Sequence, residues 1–282
     1  MANRTAVSEG IPLDWIGSPP IVFLKLQKAL KDPNLSFADL EVIITADPSL
    51  TARLLKIANS SLYCPQSKVE TVSHALGIIG IRQVIQLALA TILIQEFKGI
   101  PKDLFDMETF WRHSIACGLA AREIGSNLLL DKLDSLYIAG MLHDLGSLII
   151  YKRNPEKAIE TLTRCRDEGS SQTEVEDQVF GFSHAKAGGT IFQQWDLDPS
   201  LEEAVRFHHE PAQAKNYYLE ASILHTADII AYKMKYGLRE RDISPQIDSK
   251  AVRLVEVDIA TLPAIRDAVE SEMEEIYHLF ES

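Results

Sequence analysis

Apolar residues along this chain recur at spacings of three and four rather than two, a pattern that predicts helix almost throughout. Phe23, Leu26 and Leu30 fall on one face of a segment opened by Pro20. Ser36 followed by Asp39 has the form of a capping arrangement ahead of an Ile/Val-rich helix. Asp47-Pro48 stops that helix and starts another, with Asp47 as N-cap and Pro48 at the first helical position. Leu50, Leu54, Leu55 and Ile57 then keep the helical period. After the turn at Cys64-Pro65, two further stretches, 73–79 and 81–97, are divided by Gly80. Helices are expected next at 109–128, 135–152, 155–168, 173–179, 183–195, 199–209 and 219–236. A last acidic helix is expected within 258–282, with Pro263 in its first turn. No segment alternates as a strand, so the expected fold is all-α.

Gly99-Ile100-Pro101 is the best boundary signal in the chain. It suggests an N-terminal helical lobe over 1–100, a second helical lobe over 101–240 and a C-terminal helical tail over 241–282.

Composition narrows the class of function. A net charge of −12 speaks against nucleic acid as the main partner, because that affinity comes mostly from Lys and Arg on phosphates. The three cysteines, Cys64, Cys117 and Cys165, form no CxxC pair and suit a reducing compartment. The opening MANRTAVSEGIPLDW lacks the apolar stretch of a signal peptide. The apolar segment 84–94 is too short to span a bilayer. A cytoplasmic location without membrane partners is expected.

Six of the eight histidines lie between residues 113 and 225, and the chemistry gathers there. His113 sits between Phe110 and Cys117 at helical spacing, and His143 continues Leu136, Ala139 and Gly140. His184 aligns with Gly188, Ile191 and Trp195, and His208 continues Leu201 and Val205 with His209 beside it. Asp144 and Asp228 lie in the apolar contexts LHDLG and HTADIIA. One histidine on an apolar face is ordinarily a satisfied core residue. Five together with two aspartates are another matter, because a buried carboxylate needs a cation or strong donors. Divalent transition metal satisfies both groups at once, and the mixed imidazole and carboxylate set suits Fe, Mn, Zn or Ni. Asp144 is placed to bridge two ions, typically about 3.5–4 Å apart. On a continuous helix His143 and Asp144 would diverge by about 100°, as would His208 and His209.

The order His113, His143-Asp144, His184, His208-His209, Asp228 resembles the metal-binding set of the HD superfamily, closest to that of the HD-GYP phosphodiesterases. The surrounding stretches PPIVFLKLQKAL, ADPSLTARLLKIANSSLY, VSHALGIIGIRQV, GMLHDLG, VFGFSHAKAG and HHEP are similar to those of the HD-related output domain (HDOD) family, from about Ile16 to Tyr236. That resemblance implies an N-terminal helical lobe packed on an HD-like lobe, and a role in bacterial signal transduction. It also marks His113, His143, Asp144, His184, His208, His209 and Asp228 as the metal set, holding two divalent ions. The departures bear on catalysis. Ser147 stands where the HD-GYP group has a phosphate-contacting lysine, the run HHEPAQAKNYY lacks the GYP loop, and Thr109 stands where some members carry a further carboxylate ligand.

Four residues outside the set are candidates for supporting roles. His225, three before Asp228, and Glu210, after the paired histidines, are candidates for orienting a ligand. Lys186 and Arg206 are candidates for holding an anion near the metals. No residue is assigned as catalytic. The expected function is a non-catalytic signal-transduction output module with a retained metal site, working with signalling proteins or a small anionic ligand. The alternative is a metal-dependent phosphohydrolase.

Overall fold

The computed structural model describes residues 11–12, 20–30, 32, 34–96, 106–236, 246–258 and 260–281. The expected lobe boundary at Gly99 to Pro101 and most of the opening segment lie outside them. Among the described residues every regular element is helical and no strand occurs. The chain divides into two compact units, one of residues 18–98 with 270–282 and the other of residues 1–17 with 99–269. The segment read as a separate C-terminal tail is thus shared between the two.

The N-terminal unit is built from α1 (Ile21–Leu30), α2 (Phe37–Thr45), α3 (Pro48–Ala58), α4 (Val72–Ile79) and α5 (Ile81–Glu96). Its helix starts follow the local chemistry of the sequence. The Ser36 hydroxyl accepts from the Asp39 amide while the Asp39 carboxylate accepts from the Ser36 amide, closing a capping box. Asp47 accepts from the amides of Ser49 and Leu50, with Pro48 at the first helical position. Gly80, at φ 95°, turns the chain between α4 and α5. Phe23, Leu26, Leu40, Ile44, Leu50, Leu54, Ile57 and Leu76 form the buried core. His74, the one histidine of these five helices, is exposed.

The second unit comprises α6 (Met107–Asn127), α7 (Leu133–Leu142), α8 (Leu145–Arg153), α9 (Pro155–Glu168), α10 (Gln172–Phe180), α11 (His184–Gln194), α12 (Pro199–Arg206), α13 (Tyr218–Lys233) and α14 (Ser249–Leu254). The last helix, α15 (Leu262–Glu281), belongs to this unit up to Val269. Helix α6 packs on α7 and α13, while α11 packs on α8 and α12. Small residues set how closely these helices approach. A Cβ on Gly140 would lie 2.6 Å from the Gly118 backbone, and one on Gly146 would lie 2.0 Å from the His184 carbonyl oxygen. Gly188 and Gly189 likewise make room for Val205 and Arg206 of α12.

Two departures from the expected helices fall at the site. The continuous helix expected over 135–152 is interrupted at His143-Asp144, between α7 and α8. The helix expected to run to His209 ends at Arg206, leaving His208 and His209 in the following turn. The same side-chain contact accompanies both interruptions. His143 Nδ1 lies 2.7 Å from the Gly140 carbonyl and His208 Nδ1 lies 2.7 Å from the Val205 carbonyl, three residues back in each case. A terminal helix carbonyl is left without a backbone partner, and the imidazole N–H satisfies it. The stretch 133–153 containing the first interruption is the one described segment with length and hydropathy for a membrane span, and 78% of its apolar window is buried inside the protein.

Candidate metal centre

Five parts of the chain bring the seven predicted side chains to one place. His113 comes from α6, His143 and Asp144 from the α7–α8 junction, His184 from the first turn of α11, His208 and His209 from the turn after α12, and Asp228 from α13. They sort into two groups, Asp144 with His184, His208 and His209, and His113 with His143 and Asp228. Within each group the candidate ligand atoms all lie within 4.8 Å of one another.

Asp144 joins the groups. Its Oδ1 lies 3.2 Å from His184 Nε2 and 3.7 Å from His208 Nε2, while its Oδ2 lies 3.3 Å from His143 Nε2. In the other group, Asp228 Oδ1 is 3.0 Å from His113 Nε2 and 3.8 Å from His143 Nε2. Because the helices are interrupted, neighbouring residues that would diverge on a helix converge here. The rings of His208 and His209 are 3.9 Å apart, and both belong to the same group. The divergence expected of that pair on a continuous helix is absent because α12 ends before it.

The outer nitrogens fix which atom of each ring faces inward. His113 Nδ1 lies 3.0 Å from the Tyr236 carbonyl, and those of His143 and His208 meet their helix carbonyls. A carbonyl can only accept, so Nδ1 carries a proton in each ring and Nε2 is the atom turned toward the ligand group. This is the usual arrangement of a ligating histidine. His184 differs, because its Nδ1 lies 2.6 Å from the Glu176 carboxylate.

The electrostatics follow from crowding these groups together. Burial alone would lower the His113 pKa, but its hydrogen bond to Asp228 and that residue's charge outweigh burial and raise it to about 9. Burial likewise opposes ionisation of Asp228 and Asp144. The neighbouring histidines win, holding Asp228 well below the usual carboxylate range through His113, and Asp144 through His143 and His184. His209 is pushed down to about 4 by burial and by the charge on His184. His208 is pushed down by burial and by His209.

The raised His113 pKa makes the stability of the metal-free protein depend on pH. A histidine whose folded pKa is raised stabilises the fold fully below its unfolded value, about 6.5, and loses that contribution as pH climbs through the folded value. Thermal unfolding of chelator-treated protein is therefore expected at lower temperature at pH 10 than at pH 7. His113→Gln should flatten this part of the profile. An unchanged profile in the variant would rule His113 out as the source.

Donor geometry and chemistry fit metal. The Nε2 atoms of His143 and His208 are buried without a hydrogen-bond partner, although such atoms are nearly always satisfied in native structures. His184 Nε2 and His209 Nε2 lie 3.0 Å apart. Two nitrogens about 2.0–2.1 Å from one ion and at right angles to each other are separated by about 3 Å.

The four supporting candidates are placed differently. Lys186 reaches Asp177 at 3.0 Å on the surface. Arg206 reaches Glu202 at 2.9 Å, with Thr190 and Gln193 also in contact. Both cations are thus engaged by partners outside the ligand groups. Glu210 is exposed. His225 Nδ1 meets the His208 carbonyl at 2.7 Å and its Nε2 accepts from the Asp248 amide at 2.9 Å, so it braces the turn that carries the paired histidines. Ser147, at the lysine position of the HD-GYP group, is buried and accepts from Gln172. The residue that sequence reading missed is Glu176, wholly buried behind His184. It stands between the acidic neighbours Glu174 and Asp177, and its local sequence carries no signal of burial.

An all-helical unit presenting paired His/Asp groups around a shared aspartate defines an HD-type protein. The chain belongs to the HDOD domain family, matching it over residues 16–211. A proposed phosphohydrolase from Shewanella amazonensis SB2B has the same fold, with a TM-score of 0.76 at 20% identity over 98% of both chains. An HDOD domain protein of unknown function from Geobacter sulfurreducens gives a TM-score of 0.69 at 21% identity, covering 94% of this chain and 92% of that one. A proposed signal transduction protein from Marinobacter aquaeolei VT8 gives 0.73 at 17% identity, covering 100% of this chain and 62% of that one. An uncharacterized protein of Treponema pallidum (strain Nichols) is 27% identical over 220 residues, 77% of this chain but 42% of that relative. The chain therefore spans less than half the length of that relative.

Proposed function

We propose that this chain is a cytoplasmic signal-transduction module whose HD unit is organised around two divalent transition-metal ions and does not hydrolyse cyclic dinucleotides. His113, His143 and Asp228 would hold one ion and His184, His208 and His209 the other, with Asp144 shared between them. The observation that carries this reading is the pair of buried Nε2 atoms on His143 and His208, each facing Asp144 at 3.3 and 3.7 Å without forming a hydrogen bond. Two ions so held can supply Lewis acidity for phosphoester cleavage. Rate also depends on the phosphate being held in line. The cations considered for that grip, Lys186 and Arg206, are engaged elsewhere, and Ser147 is buried. A signalling protein or a small anionic ligand is the expected partner of such a module.

A metal-dependent phosphohydrolase is the second reading, and one observation favours it. Asp144 leaves 21% of its side chain exposed and His209 is half-buried, so the centre reaches solvent. The test is to load purified protein with Mn²⁺ or Fe²⁺ and assay cyclic di-GMP and simple phosphomonoesters and diesters, with Asp144→Ala as control. Metal uptake with silence on every substrate supports the module. Turnover that disappears in the variant would establish the hydrolase instead.

A further inference from the structure

The two ligand groups differ in charge, and the difference is made up from behind. The His113 and His143 group has a carboxylate of its own in Asp228, and its outer nitrogens meet neutral carbonyls. The His184, His208 and His209 group has three imidazoles and only the shared Asp144. Its second carboxylate is Glu176, held on α10 and fully buried. Glu176 Oε2 accepts from the His184 amide at 2.7 Å and lies 2.6 Å from His184 Nδ1. Glu176 Oε1 accepts from the Tyr151 hydroxyl at 2.8 Å and from Gln172 Nε2 at 3.0 Å. Four donors thus surround one interior carboxylate. Burial opposes its ionisation, but the charge and hydrogen bonds of His184 keep its pKa below the usual value.

Such a carboxylate does two things to the ring in front of it. It fixes the ring orientation, and it makes Nε2 more basic by drawing on the Nδ1 proton. Neutral carbonyls do the first and much less of the second. We infer that Glu176, acting through His184, is the positioning residue that raises the affinity of the His184/His208/His209 subsite, so that loss of its charge weakens that subsite and spares the other. This inference rests on the two-ion reading.

The experiment is a Zn²⁺ or Mn²⁺ titration of metal-free full-length protein, resolving the first and second equivalents. Wild type is expected to take up two. In Glu176→Gln the affinity for one equivalent should fall by about 10–100-fold, the range of outer-partner mutations at metal sites, while the other stays unchanged. Glu176→Asp, which keeps the charge on a shorter arm, should recover part of the loss. Tyr151→Phe, which removes one donor and keeps the charge, should retain both equivalents. A folding defect alone would not produce this order, and circular dichroism of each variant checks for one. Proton NMR of Zn-loaded wild type gives a reading that needs no variant. The His184 Nδ1–H, bonded to a carboxylate, should resonate further downfield than those of His143 and His208. Equal weakening of both equivalents in Glu176→Gln, no weakening of either, or a His184 signal no further downfield than the other two would overturn the inference. Wild type that binds no metal would overturn the two-ion reading itself, and this inference with it.

Discussion

Replacing Asp144 with alanine is expected to remove both metal ions from the protein. Each oxygen of this carboxylate faces a different ligand group, Oδ1 toward His184 and His208 and Oδ2 toward His143. The substitution therefore takes one anionic ligand from each ion, and it brings their positive charges face to face with nothing between them. Elemental analysis after desalting should find the content falling from about two ions per chain to near zero. Asp228→Ala, by contrast, should cost mainly the ion beside His113 and His143. His225→Ala should retain most of the metal, because His225 touches the backbone of His208 and no ligand atom. Its expected effect is less than about 10-fold on affinity, at the lower end for outer partners. Equal metal loss from Asp144→Ala and His225→Ala would mean that the inner and outer residues have been assigned wrongly.

The second large effect is expected at Gly146, where no ligand is touched. A Cβ there would sit 2.0 Å from the His184 carbonyl and 2.8 Å from the Gly188 amide, both backbone atoms that cannot rotate away. Helices α8 and α11 would have to separate. Overpacking typically costs about 1–3 kcal/mol, occasionally more, and a clash against backbone belongs at the upper end. At about 2–4 °C per kcal/mol for a domain of this size, Gly146→Ala should lower Tm by about 6–12 °C. Because α8 begins just after Asp144 and α11 begins at His184, metal affinity should fall as well. Gly77, exposed in α4 with nothing near its would-be Cβ, supplies the opposite case. There alanine replaces the more flexible residue at no steric cost, and stability should rise by about 0.5–1 kcal/mol. Calorimetry of the two variants, and of wild type, checks both signs.

Much of this was legible in the sequence because it is written locally. Ser36 with Asp39, Asp47 with Pro48, and Gly80 announce helix boundaries through contacts within a few residues, and the structure has helices beginning or ending at each. The gathering of these histidines and aspartates was legible for a related reason. Histidines and aspartates on apolar helix faces must be buried together, and burial leaves ionisable groups few companions. What could not be read was which partner each polar side chain takes. The interruption at His143-Asp144 is accompanied by a ring nitrogen bonding back to Gly140, and the two glycines of 135–152, Gly140 and Gly146, lie inside the helices rather than at the break, so neither marks it. Lys186 and Arg206 looked available to a phosphate because their partners, Asp177 and Glu202, are ordinary surface-type acids in sequence. Glu176 was hidden for the opposite reason. Its burial depends on α10 presenting it to His184 and Tyr151, an outcome of packing rather than of local spacing.

The central claim is that two ions lie side by side with Asp144 between them. Anomalous diffraction from crystals of the metal-loaded protein, collected at the absorption edge of the bound metal, tests it most directly. Two peaks are predicted about 3.5–4 Å apart, one against His113, His143 and Asp228 and the other against His184, His208 and His209. A single peak, or none in crystals grown with excess metal, would contradict the account.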